Sequence, residues 1–133
     1  MAKIARTPYN ASRMISKEIS SDVELSINTQ GYTFFVTATE AMSIDVGYLD
    51  KGSYYKLILK ENATGNITIT LPSVSGVLIS DDLQGSGAVV VPGSGDTITI
   101  PSGAVTGTYI DLVCDGSKWY ARGMSAGSAF IIS

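Results

Sequence analysis

Histidine is absent from this chain of 133 residues, which removes His-based catalytic triads, imidazole proton relays and histidine metal ligands. There is one cysteine, Cys114, so an internal disulfide and a cysteine-rich zinc site are excluded. Charge is scarce as well. Charged residues are 16% of the chain, against about 25% in an average soluble protein. Apolar residues are 44% and the mean hydropathy is +0.22, too apolar for a disordered chain. A single domain of this size has a large surface and few charges here to cover it, which favours an assembled protein. Uninterrupted apolar runs are only a few residues long, far short of the ~20 that span a membrane, and Met1 to Arg6 contains no apolar export segment. The sequons at Asn10, Asn62 and Asn66 are therefore read as chance products of a chain rich in Ser, Thr and Asn. Free Cys114 fits synthesis in a reducing cytoplasm.

The charges that exist are unevenly placed. Residues 1–20 carry Lys3, Arg6, Arg13 and Lys17 against Glu18 alone, a net +3, while residues 21–133 hold 5 bases and 11 acids, a net −6. A basic arm on an acidic body points to an acidic surface on a partner or a neighbouring copy. Four spaced bases with few aromatics make a weak nucleic-acid footprint.

Beyond the arm the pattern is strand and turn. Tyr32–Thr39 is dense in aromatic and β-branched residues. Met42, Ile44, Val46 and Tyr48 alternate with small or polar residues, a period of two. Tyr54–Lys60, Ile67–Leu71, Ala88–Val91, Thr97–Ile100, Tyr109–Cys114 and Lys118–Arg122 complete the expected strands. Asp115-Gly116-Ser117 joins the last pair as a hairpin turn, since glycine tolerates the positive φ such turns need. Only Tyr9 to Ile19 has a pattern that could wind into a short helix, and an extended arm fits it equally well. Ile69-Thr70-Leu71-Pro72-Ser73 is echoed by Ile98-Thr99-Ile100-Pro101-Ser102, and two equivalent strand-to-turn corners account for it. Turn signals at such short spacing predict an all-β fold: an antiparallel β-sandwich, jelly-roll-like or barrel domain over residues 21–133, with residues 1–20 as a short N-terminal arm.

Chemistry is hard to find. Asp81-Asp82, Asp111 and Asp115 are the candidate carboxylates for a glycosidase pair. Each has a simpler role: turn hydrogen bonding for Asp81-Asp82 and Asp115, and for Asp111 an outward place between Ile110 and Leu112. Gly85-Ser86-Gly87 and Gly93-Ser94-Gly95 precede strands, not helices, so they are not phosphate cradles. No catalytic residue, metal ligand or cofactor is expected. The adjacent aromatics Phe34-Phe35, Tyr54-Tyr55 and Trp119-Tyr120 place one ring of each pair on the outward side of a strand. Such rings suit an oligomer contact or, alternatively, a sugar. Trp119 itself is expected inward, packed with Ala121 and Leu112; the competing role is a sugar-stacking platform.

The runs Ile67–Ser73, Gly95–Pro101 and Gly107–Tyr120, closing on Asp115-Gly116-Ser117-Lys118-Trp119-Tyr120, resemble a style found in virion proteins of tailed bacteriophages. The closing hairpin is similar to those of capsid decoration proteins, head fibres and tail-fibre domains, and the likeness covers roughly residues 54–123. It implies a β-rich, usually trimeric, non-enzymatic domain, and it transfers no binding residue. The resulting expectation is a capsid decoration or cement protein on the virion surface, a homotrimer bound to the major capsid protein or another virion protein. Its arm, through Lys3, Arg6, Arg13 and Lys17, would contact the capsid or a neighbouring subunit. The alternative is a tail or head-fibre module that binds a host-surface glycan, and a third class is a small carbohydrate-active enzyme. The chain shows neither shaft repeats nor coiled-coil heptads, which favours cement over fibre.

Overall fold

The computed structural model describes residues 15–72, 74–80 and 96–133. Within them the chain forms eleven strands and one 3-10 turn: β1 (Ser16–Ile19), β2 (Val23–Leu25), the turn (Ile27–Thr29), β3 (Thr33–Val36), β4 (Met42–Val46), β5 (Tyr54–Leu59), β6 (Ile67–Thr70), β7 (Val74–Ser80), β8 (Thr97–Ile100), β9 (Tyr109–Cys114), β10 (Trp119–Met124) and β11 (Ile131–Ile132). The all-β expectation holds. Strands β1, β2, β7 and β11 were not anticipated, and the expected strand at Ala88–Val91 lies outside the described residues.

The strands form a six-stranded sheet in the order β1-β3-β5-β9-β10-β7 and a five-stranded sheet in the order β11-β8-β6-β4-β2. Neither closes into a barrel among the described residues. The expectation of antiparallel strands is corrected. β1–β3, β3–β5, β2–β4, β4–β6 and β7–β10 are parallel, and only β5–β9, β9–β10, β6–β8 and β8–β11 are antiparallel. The reason is where the turns lead. From β1 to β6 each short connection turns a corner into the opposite sheet, so the next strand but one returns beside its predecessor in the same direction. A parallel pair needs a crossover, and here a strand of the other sheet supplies it. Antiparallel pairing takes over in the C-terminal half, where β9 and β10 form the expected hairpin.

Alternation places one face of each strand inward. Phe34, Tyr55, Leu57, Ile110, Leu112 and Trp119 from the larger sheet join Ile44, Ile67, Ile69 and Ile98 from the smaller in one core, each at most 1% exposed. The echoed segments are antiparallel neighbours, with Ile67 opposite Ile100 and Ile69 opposite Ile98. Their proline corners therefore lie at opposite ends of the ladder. Asn62 and Asn66 have structural work: their Oδ1 atoms accept the backbone N–H groups of Thr106 and Ser102, at 2.9 and 2.8 Å, and fasten the 101–107 loop.

The end of the expected arm belongs to this architecture. Ser16–Ile19 is an extended edge strand paired with β3, not helix. Its Glu18 carboxylate meets Lys60 Nζ at 2.5 Å, and that contact raises the pKa of the ammonium group.

Candidate functional site

The two outward faces differ in character. Ser43, Asp45, Thr68, Thr70, Thr97 and Thr99 make most of the smaller sheet's outward face polar, with Ile131, opposite Thr99 and 55% exposed, as an apolar exception at its edge. On the larger sheet, register brings three rows of outward side chains together across β5, β9 and β10. Tyr54, Val113 and Tyr120 form one row; Lys56, Asp111 and Arg122 form the next; Ile58, Tyr109 and Met124 form the third. Two apolar or aromatic rows therefore flank one charged row.

The hairpin that aligns β9 with β10 is fixed by Asp115. Its Oδ1 accepts the backbone N–H groups of Ser117 and Lys118, both at 2.8 Å, and its Oδ2 accepts the Tyr120 hydroxyl at 2.9 Å. These donors, led by the Ser117 and Lys118 amides, lower the carboxyl pKa to about 2. Gly116 occupies the turn at φ +101°, a conformation that side-chain-bearing residues rarely adopt. Asp115 is thus the turn residue expected, with both carboxylate oxygens occupied.

Asp111 does face away from the core, yet it is only 9% exposed because its neighbours cover it. Lys56 Nζ is 3.7 Å from its Oδ1, and Arg122 Nε is 3.8 Å from its Oδ2. Both separations are ion-pair contacts longer than a hydrogen bond, and Oδ1 is buried with no hydrogen-bond partner. Lys56 also lies over the Tyr109 ring, 5.4 Å from its centre. Around this row Tyr54, Val113 and Tyr120 border a groove of about 490 Å³. Among the described residues no group of three or more carboxylates or thiols is placed to hold a metal ion. Likewise, no described helix is long and apolar enough to cross a membrane.

The outward aromatics are those that alternation predicts. Tyr54 and Phe35 are partly exposed and Tyr120 is 45% exposed, while Tyr55, Phe34 and Trp119 are buried. Trp119 cannot be a sugar platform, because it is fully buried and its Nε1 donates to the Tyr48 carbonyl at 2.9 Å. Of the arm residues, Lys17 is exposed on edge strand β1, whereas Lys3, Arg6 and Arg13 lie outside the described residues. So do Asp81-Asp82 and the glycine runs at 85–87 and 93–95.

The Lys56–Asp111–Arg122 row was missed in the sequence. Half of it was within reach: a turn centred on Gly116-Ser117 sets Asp111 opposite Arg122. Lys56 needs the non-local pairing of β5 with β9. Comparison of the chain with protein-family models, with curated proteins and with solved structures gives no match.

Proposed function

We propose that this chain is a non-enzymatic structural protein of a tailed-phage virion, a capsid decoration or cement protein that binds the shell surface as a homotrimer. The observation that carries the reading is the contrast between the two sheets. Aromatic and aliphatic rows gathered on one outward face, against a mainly Ser/Thr surface on the other, suit a domain that assembles through the first. Half-buried Tyr, Val, Ile and Met side chains around a desolvated charge suit a protein partner. The two sheets, read as a sandwich built partly from parallel coils, give a stiff body, and a cement protein gains by bridging shell subunits against the pressure of packaged DNA. The basic arm adds an anchor for an acidic surface.

Light scattering tests the assembly: a trimer has three times the 13.9 kDa chain mass. Co-sedimentation with heads of the encoding phage tests the location. Deleting residues 1–14 leaves every described strand in place and is expected to weaken attachment in a salt-sensitive way. A monomer that fails to bind heads would overturn the reading. The second reading, a head- or tail-fibre module for a host-surface glycan, is favoured by one observation, the charged groove between Tyr54 and Tyr120.

A further inference from the structure

We propose that the groove over β5, β9 and β10 binds a saccharide carrying a carboxylate, of the uronic- or sialic-acid class. The inference rests on the second reading, a glycan-binding module, and gives that reading a ligand chemistry.

Three features of the groove select this ligand. The first is the Asp111 carboxylate, whose side chain is 12% exposed and lines the groove, with Oδ1 fully covered and supplied with no hydrogen-bond donor. Oδ1 itself is out of a ligand's reach, but the accessible part of the carboxylate is an acceptor in the groove wall, so a ligand that brings donors to it is favoured. The donor must be neutral, because Lys56 at 3.7 Å and Arg122 at 3.8 Å already flank the carboxylate and would repel an ammonium or guanidinium group. Hydroxyl groups satisfy that condition. The second is charge. Two cations around one anion leave the row at +1, and Arg122, with a side chain 76% exposed, has donors to offer a ligand anion. The third is shape. Tyr54 and Tyr120 border the groove on one row, and phenol faces pack against the C–H face of a sugar ring. The groove, at about 490 Å³, has room for a ring or two. Neutral hydroxyl donors, one carboxylate and an apolar ring face occur together on an acidic sugar. An acidic peptide supplies the anion, but it also brings further carboxylates towards Asp111.

The test uses the full chain and ligand-observed NMR, with N-acetylneuraminic acid and D-glucuronic acid as probes and D-glucose, acetate and a glutamate-rich peptide as comparators. Both acidic sugars are expected to bind, with glucose and acetate each about tenfold weaker, the effect of losing one charge-assisted contact. Arg122→Ala, at an exposed position, is expected to remain folded in a thermal melt and to abolish the preference for glucuronic acid over glucose. Arg122→Lys restores part of that preference. Absence of binding by both acidic sugars overturns the proposal. So does acetate binding as tightly as the sugars, the peptide binding more tightly than they do, or a preference unchanged in a folded Arg122→Ala protein. The cement reading has a separate fate: head binding without sugar affinity sinks this proposal alone, and sugar affinity without head binding sinks the cement reading alone.

Discussion

Replacing Trp119 by alanine removes the largest side chain of the core, and the structure gives the size of the effect. The indole is fully buried. It stacks on Tyr55 at 5.9 Å and 27°, and meets the edge of Tyr48 at 5.8 Å and 83°. Loss of a buried aromatic side chain costs about 3–5 kcal/mol through lost transfer energy and the cavity left behind. The Tyr48 carbonyl, which accepts the indole N–H at 2.9 Å, would also lose its partner, adding ~1 kcal/mol or more. These terms overlap, so about 4–5 kcal/mol is expected, a large share of the 5–15 kcal/mol that holds a typical domain together. For a chain of this length that corresponds to a melting temperature lower by roughly 10–20 °C. Far-UV circular dichroism during urea and thermal unfolding measures it without needing the lost fluorophore. Trp119→Phe keeps a ring in the site and is expected to cost less than half as much. A Trp119→Ala protein within about 1 kcal/mol of the parent would refute the placement of Trp119 in the core.

Tyr55 donates its hydroxyl to the Ser26 carbonyl at 2.7 Å and is bonded to the Tyr48 hydroxyl; burial, with that bond adding to it, pushes its pKa well above 10. Its neutral form is favoured in the folded chain, so this contribution is complete below about pH 10 and declines as pH rises further. Tyr55→Phe should flatten that alkaline decline in a pH series of urea melts, at a cost of ~1–2 kcal/mol at neutral pH. Asp115 has the opposite sign: its pKa, lowered to about 2, gives stability that is present above the ordinary carboxylate value and lost as pH falls through about 2. Asp115→Asn should therefore show a shallower acid limb in thermal melts. Gly123→Ala would set a Cβ 2.1 Å from the Tyr109 carbonyl oxygen and 3.0 Å from Ile110 Cα, so backbone must move and stability should fall by about 1–3 kcal/mol or more in urea titration.

What the sequence discloses about this fold is what period and turn chemistry can encode. Met42–Val46 and Ile67–Thr70 alternate strictly, and their inward residues are those buried; in Tyr54–Leu59, rich in aromatic and aliphatic residues, burial alternates in the same way. β1 escaped because only Ile19 of its four residues is buried, so an edge strand resembles a polar arm. β2 is three residues long, too short for a period to register. Strand direction was the larger loss. A short polar connection is the same text whether it folds a hairpin or turns a corner into the facing sheet. A regular coil could have betrayed itself as a repeat, but the partners Ser16–Thr33, Thr33–Lys56, Val23–Ile44 and Met42–Ile67 are unequally spaced along the chain. Corner loops of different length erase the period while the sheets preserve the stacking.

The candidate site lies on the boundary between these two kinds of information. Asp111 and Arg122 are opposed by a local hairpin whose turn is set by Asp115 and Gly116, and local chemistry of that kind is readable. Lys56 reaches the same row only because β5, the last of the parallel run β1-β3-β5, accepts β9 as an antiparallel neighbour. The row is thus made at the seam between the parallel run β1-β3-β5 and the antiparallel β9–β10 hairpin. At that seam alternation alone gives a misleading answer for Asp111. It assigns the side chain correctly to the outward face, but outward does not mean solvated when a cation stands on each neighbouring strand and tyrosines line the adjoining rows. A carboxylate on a central strand with a lysine on one side and an arginine on the other is desolvated by its own ion pairs. The partners that hold it leave its Oδ1 without a hydrogen bond. The charged row therefore arises where β5 meets a hairpin from a distant stretch of chain in matching register, and no segment carries it alone.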